Sequence, residues 1–175
     1  MHATVPIILA CVVLSQPSSP LNAATLPAHR AESSDWMERH EWLSEAITKT
    51  RPRLLFAGDS IVMGWNTFGQ DVWEREYSAY NAVNIGIGGD RTQHLLWRLE
   101  NTDITGSGIE LAVVNIGTNN LGENTPEETG AGILAVVDCI INRSPDTRVL
   151  LLGLFPRVDD GPEIAADRDR VNEIL

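Results

Sequence analysis

At 175 residues with 43% hydrophobic side chains, the chain has room for one domain with a sizeable core. Twenty-four acidic against 13 basic residues leave a net charge of −11, and no basic stripe offsets it, which sets aside nucleic acid and anionic lipid as partners. The two cysteines, Cys11 and Cys139, lie in unrelated contexts and make no disulfide framework.

The apolar run Val5 to Leu14 is too short to span a bilayer and is followed by the small, polar "SQPSSPLNAAT". It reads as a signal peptide over residues 1–24, cut after Ala23 or Ala24, although only His2 precedes the apolar run where Lys or Arg is usual. Export to a secreted or periplasmic location is therefore expected, with no stable membrane insertion after processing. Residues 25–50, rich in charge and carrying Trp36 and Trp42, read as a lead-in helix packing on the domain that occupies 51–175.

"RLLFAGDSIVMGW", Arg53 to Trp65, reads as strand, tight turn and helix, with Ser60 at the turn. Open α/β sheets place ligands there, outside the carboxyl ends of the strands. The alternative is that Asp59 or Ser60 only caps the helix. "AVNIG", Ala82 to Gly86, is a second strand, followed by a helix over 92–101, and "LAVVNIG", Leu111 to Gly117, is a third strand, apolar on both faces. Thr125, Pro126 and Glu128 form a capping box that opens a helix running to about Ser144. Arg148 to Phe155 is a fourth strand, and the terminal "EIAADRDRVNEIL" is helix-like. Near-continuous apolar strands separated by helices predict a three-layer α/β fold around a parallel sheet.

Each of the first three strands ends in a polar, Gly-containing loop: "GDS" at 58–60, "GIGGDRT" at 86–92 and "GTNN" at 117–120. Parallel strands bring them to one edge, so a hydroxyl, a glycine backbone and a carboxamide meet. Acyl transfer needs such a set: Ser60 as nucleophile, with the N–H groups of Ser60 and Gly89 and the Asn119 amide as oxyanion donors. Taken singly, each loop also reads as an ordinary tight turn. A dinucleotide fingerprint fails at the sixth position, where Arg91 replaces glycine, and no Gly-Lys-Ser/Thr marks a phosphate loop.

The motifs "GDS", "GIGGD" and "GTNN" resemble the first three blocks of the SGNH (GDSL) hydrolases. With "LLLGLFPR", the run from Asn84 onward looks most like the branch containing the platelet-activating factor acetylhydrolase catalytic subunits and their bacterial relatives. The resemblance covers Arg53 to Leu175. It implies a flavodoxin-like fold, Ser60 as catalytic nucleophile, Gly89 and Asn119 in the oxyanion hole, no metal or organic cofactor, and a homodimer as one assembly.

In that family an Asp-x-x-His near the carboxyl terminus supplies the general base. No such motif occurs here, and the histidines are His2, His29, His40 and His94. His94 reads as a packing or helix-surface residue. The domain is thus expected to be incomplete at its carboxyl end, and "VLLLGLF" to lie as an exposed edge strand. The reading is a serine esterase acting on a small acyl ester, an O-acetyl group of a carbohydrate or lipid, with little activity as the sequence stands. A noncatalytic binding protein that keeps the pocket is the alternative. Arg91, Trp97 and the loop from Leu121 to Thr125 are candidates to border that pocket, Trp97 being equally a core residue.

Overall fold

The computed structural model describes residues 21–30 and 33–175, so the apolar run Val5 to Leu14 lies outside the described residues. Four parallel strands form one sheet in the order β2-β1-β3-β4: β1 (Leu54–Gly58), β2 (Val83–Asn84), β3 (Leu111–Asn115) and β4 (Arg148–Leu151). β1 and β3 pair along their full length, from Leu54 opposite Leu111 to Gly58 opposite Asn115. The loops after β1, β2 and β3 therefore leave from the same edge.

Side chains on β1 alternate faces, as a strand requires. Leu55 and Ala57 join Ala112 and Val114 in the larger core, under helices α1 (Ser34–Thr50), α4 (Thr92–Glu100) and α5 (Pro126–Arg143). Leu54, Phe56 and Val113 face the other way, onto Val62 of the short helix α2 (Ser60–Met63) and onto Trp65, Trp73 and Tyr77. Helix α3 (Gln70–Glu76) carries Trp73, whose ring centroid lies 5.0 Å from that of Phe56. The second face is the thinner layer, and a groove of about 490 Å³ stays open along it between Phe56, Tyr77, Leu150 and Phe155.

The elements fall close to where the sequence put them, with three differences. The lead-in helix begins only at Ser34, where the Ser33 hydroxyl accepts from the Trp36 N–H, and residues 21–30 form an arm that opens on a 3₁₀ turn, Ala23–Thr25. On that arm the Ala24 carbonyl accepts from the Thr92 hydroxyl at 2.7 Å and the Ala28 N–H donates to the Gln93 carbonyl at 3.0 Å. The second and fourth strands are shorter than the apolar runs that announced them. After β4, helix α6 (Pro162–Ile174) takes over the pairing, since the Asn172 amide bonds both the N–H (2.7 Å) and the carbonyl (3.0 Å) of Leu154. β4 lies at the sheet edge, as expected, with Leu150 48% exposed.

At the carboxyl ends of β1 and β2 sits a buried ion pair. The Arg98 guanidinium holds the Asp90 carboxylate through Nε and Nη2, both at 2.8 Å, and donates to the carbonyls of Ile85 (2.7 Å) and Gly58 (3.3 Å). Trp36 Nε1 donates to the other Asp90 oxygen at 2.7 Å, tying α1 into the same network. Breaking a buried pair by removing one partner costs about 3–5 kcal/mol, because the survivor stays charged and dry. Arg98→Met should lower the urea unfolding free energy by about that much. Arg53→Met, which removes the exposed pair with Glu110, should barely move the unfolding midpoint.

Candidate functional site

β1 ends on Gly58 because nothing larger fits: a Cβ there would overlap the Asn115 carbonyl oxygen and the Val62 side chain. Asp59 then caps α2, its Oδ1 accepting from the Ile61 N–H at 2.9 Å. Of the two capping candidates Asp59 is the cap, and Ser60 is an exposed residue at the first helical position. Asp59 itself is 0% exposed, and its second oxygen has no hydrogen-bond partner among the described residues. Burial pushes its carboxyl up to about 6, assisted by the nearby Asp90 charge and opposed by the Ile61 N–H and Arg157.

The second loop passes directly over this turn. Gly88 has no side chain, and a Cβ built on it would lie 3.9 Å from the Ser60 Cβ. Gly89 follows with φ +76°, a left-handed conformation that favours glycine. Among the described residues neither the Ser60 nor the Gly89 backbone N–H makes a hydrogen bond. Below the loop, burial pushes the Asp90 carboxyl above its ordinary range, against the opposing pull of Arg98, Trp36 and Arg30.

Asn119 and Asn120 belong to a single 3₁₀ turn, Thr118–Asn120, and do different work. The Asn119 amide donates to the Asp90 carbonyl at 2.8 Å, which fastens the β3 loop to the loop carrying Gly89 and leaves its second N–H without a partner among the described residues. Asn120 is fully buried. Its oxygen accepts from the Thr92 N–H at 3.0 Å and its amide reaches Gln93 and Asn124 at 3.1 and 3.0 Å, so it staples three segments. Thus Ser60 meets Gly88, and Asn119 meets the residue after Gly89. Unpaired N–H groups beside an exposed hydroxyl are what a developing negative oxygen requires.

His94 is engaged locally, at the start of its own helix. Its Nδ1 accepts from the Arg91 N–H at 3.1 Å, capping α4, so in the neutral ring the proton sits on Nε2. Burial, aided by Arg30, Arg91 and Arg98, holds the ring down at about 4, neutral at physiological pH. Read from sequence as a packing or helix-surface residue, it instead caps α4 from a half-buried position. Trp97 packs against His40, His29 and Trp36 at centroid distances of 5.1, 5.6 and 5.5 Å, which makes it part of an aromatic layer away from Ser60. Arg91 pairs with Glu123 at 3.3 Å, joining the glycine loop to the 121–125 loop. Sequence reasoning missed the actual walls beside Ser60: a shallow depression of about 380 Å³ lined by Ile61, Gly64, Trp65, Phe68 and Gly69, with Phe68 fully exposed. The exposed aromatic in "NTFGQ" was the available signal. It also missed Asp90, Arg98 and Arg30.

Comparison with known proteins gives one consistent result. Residues 56–175 match the model of the GDSL-like lipase/acylhydrolase family. The human platelet-activating factor acetylhydrolase IB subunit alpha2 is 37% identical over 158 residues, covering 88% of this chain and 67% of its own length. The bovine alpha1 subunit is 38% identical over 140 residues, covering 80% of this chain and 59% of its own length. Among solved structures, a GDSL-like lipase from Bacteroides thetaiotaomicron shares the fold with TM-score 0.56 at 21% identity, over 78% of this chain and 67% of that one. AlinE4, an SGNH-hydrolase family esterase, does so with TM-score 0.52 at 22% identity, over 67% of each chain.

The Asp59 environment has a measurable consequence. A carboxyl raised in the folded state from 3.8 to about 6 binds its proton more tightly there than in the unfolded chain. Stability is therefore lost as pH rises from about 4 to about 6, by about 3 kcal/mol. Asp59→Asn keeps the cap on Ile61 and carries no charge. Its unfolding free energy should exceed that of the wild type at pH 7.5, and the gain should shrink at pH 4, as read by denaturant titration at both values.

Proposed function

The chain belongs to the GDSL-like lipase/acylhydrolase family, and from that premise we propose that it is a serine esterase whose substrate carries a small acyl group, an O-acetyl ester of a carbohydrate or lipid. Ser60 Oγ attacks the ester carbonyl and gives its proton to a general base. The N–H groups of Ser60 and Gly89 and the free N–H of Asn119 stabilise the tetrahedral oxyanion. Collapse expels the alcohol, which takes the proton back, and water then releases the acyl group from Ser60. The observation that carries this reading is the 2.8 Å bond from the Asn119 amide to the Asp90 carbonyl, which sets the carboxamide beside the loop that passes over Ser60.

The base belongs to an Asp-x-x-His segment downstream of Leu175 in this proposal, since His94 Nδ1 is already occupied by the Arg91 N–H. That same occupation favours the second reading, a binding protein that keeps the pocket without turnover. That its relatives are platelet-activating factor acetylhydrolase subunits supports a short acyl chain here. The protein is further proposed to be exported and to pair as a homodimer.

Two measurements test this. In the gene product carried through its downstream coding sequence, Asn119→Ala should cut 4-nitrophenyl acetate turnover by roughly 10² to 10³ with the fold intact, and Ser60→Ala should abolish acyl-enzyme formation. Turnover independent of both residues would leave only the binding reading. For export, mass spectrometry of protein from the native host should find a mature amino terminus near Ala24 or Thr25, and recovery of an intact Met1 to Leu14 segment would refute it.

A further inference from the structure

The arm of residues 21–30 does more than cover the helices. After bonding Thr92 through the Ala24 carbonyl and Gln93 through the Ala28 N–H, it delivers Arg30 to the glycine loop. Arg30 Nη1 donates to the Gly88 carbonyl at 2.9 Å, across 58 residues of sequence. The same nitrogen lies 3.9 Å from the buried Asp90 carboxylate, which orients the guanidinium from behind.

The acceptor matters because of what shares its peptide plane. The Gly88 carbonyl and the Gly89 N–H belong to one trans peptide unit and point in opposite directions. A donor on the carbonyl therefore fixes where the N–H points. This peptide is flanked by two glycines, so no Cβ on either side resists its rotation, and Gly89 already sits at φ +76°. A flip of this unit would withdraw the N–H from the Ser60 side and present a carbonyl oxygen there, replacing an oxyanion donor by a repulsive dipole. The neighbouring units are held separately: the Asp90 N–H bonds the Ile87 carbonyl at 3.2 Å, and the Asp90 carbonyl accepts from Asn119. Among the described residues, Arg30 is the side chain that holds the Gly88 carbonyl. Its positive charge also polarises that peptide, making the Gly89 N–H a stronger donor.

We infer that Arg30 is a positioning residue that locks the Gly88–Gly89 peptide with its N–H turned toward Ser60, so that the amino-terminal arm completes the oxyanion hole. This rests on the esterase reading above for its catalytic consequence, and on the Arg30 to Gly88 geometry for its structural one.

The test compares Arg30→Ala, Arg30→Lys and Asn22→Ala in the full-length gene product made with its amino-terminal segment retained, so that Asn22 is present whichever way the chain is processed in its host. Asn22 anchors the same arm, its amide donating to the Glu128 carbonyl at 3.1 Å, and does not touch the glycine loop. Arg30→Ala should lower kcat about tenfold to a hundredfold with KM changed far less, since the lost donor acts on the transition state. Arg30→Lys should recover part of the loss, as should added methylguanidinium with the alanine variant. Asn22→Ala should keep wild-type kcat. In ¹H–¹⁵N spectra the Gly89 amide should shift or broaden in Arg30→Ala and stay in place in Asn22→Ala. Wild-type kcat in Arg30→Ala, or an equal loss in Asn22→Ala, would show that Arg30 only anchors the arm. Should the wild type show no Ser60-dependent turnover, the esterase reading fails, and the Gly89 amide still decides the inference: an unmoved resonance in Arg30→Ala overturns it.

Discussion

The Arg98–Asp90 pair, sealed at the carboxyl ends of β1 and β2, is the constraint on which the site's geometry depends. Strands that stop under an active edge leave carbonyls with no ladder partner, and an unpaired buried carbonyl costs free energy comparable to a lost hydrogen bond. Arg98 supplies a donor to one of them, Ile85, and a further donor to the Gly58 carbonyl, which also accepts from the Ile87 N–H at 3.2 Å, from a helix that starts only after the glycine loop. Asp90 keeps that cation in place, and because Asp90 also follows Gly89, the pair that closes the strand ends sets the height of the loop above Ser60. Trp36 extends the same network to α1.

A buried charge pair is not in itself a source of stability, because desolvation offsets much of the Coulombic gain. Its value here is registry. With Arg98 bonded to groups on β1, β2 and the glycine loop, these segments cannot slide against one another without stranding a charge. Arg30 and Asn119 then adjust the surface of an already fixed platform, one acting on the Gly88 carbonyl and the other on the Asp90 carbonyl. The acidic side of the account is Asp59, which caps the helix under Ser60 yet carries an oxygen with no partner among the described residues. The Asp90 charge adds to burial in raising the Asp59 carboxyl, while Arg98, Trp36 and Arg30 oppose the rise that burial imposes on Asp90 itself.

The two faces of the sheet are unequal. The Leu55–Ala57 face is closed by three helices, whereas the Leu54–Phe56 face rests on the aromatic cluster of Trp65, Trp73 and Tyr77 and leaves a groove toward Leu150 and Phe155. Phe56 is held by edge-on contacts with all three of those rings at 5.0 to 6.2 Å. Such contacts add to burial through the ring quadrupoles, and they brace α2, on whose first residue the Ser60 hydroxyl stands.

Local order was legible in the sequence wherever a short-range rule governs it. The short continuous apolar run of β1, the Thr125–Pro126–Glu128 capping box and the glycine-bounded strand ends depend on atoms a few residues apart, so the strand and helix order, the parallel sheet and the three polar loops could be read directly. The partners of buried polar groups were not legible. Asp90 finds Arg98 eight residues on and Trp36 fifty-four residues back, and no spacing encodes such approaches. Nor does sequence separate Asn119 from Asn120: adjacent residues of one type point to different sides of a tight turn, one toward the site and one into the core. Only the folded chain assigns those directions, because hydrogen-bond geometry at a buried site is set by where whole elements pack, and that packing brings Arg30 across fifty-eight residues to a single carbonyl.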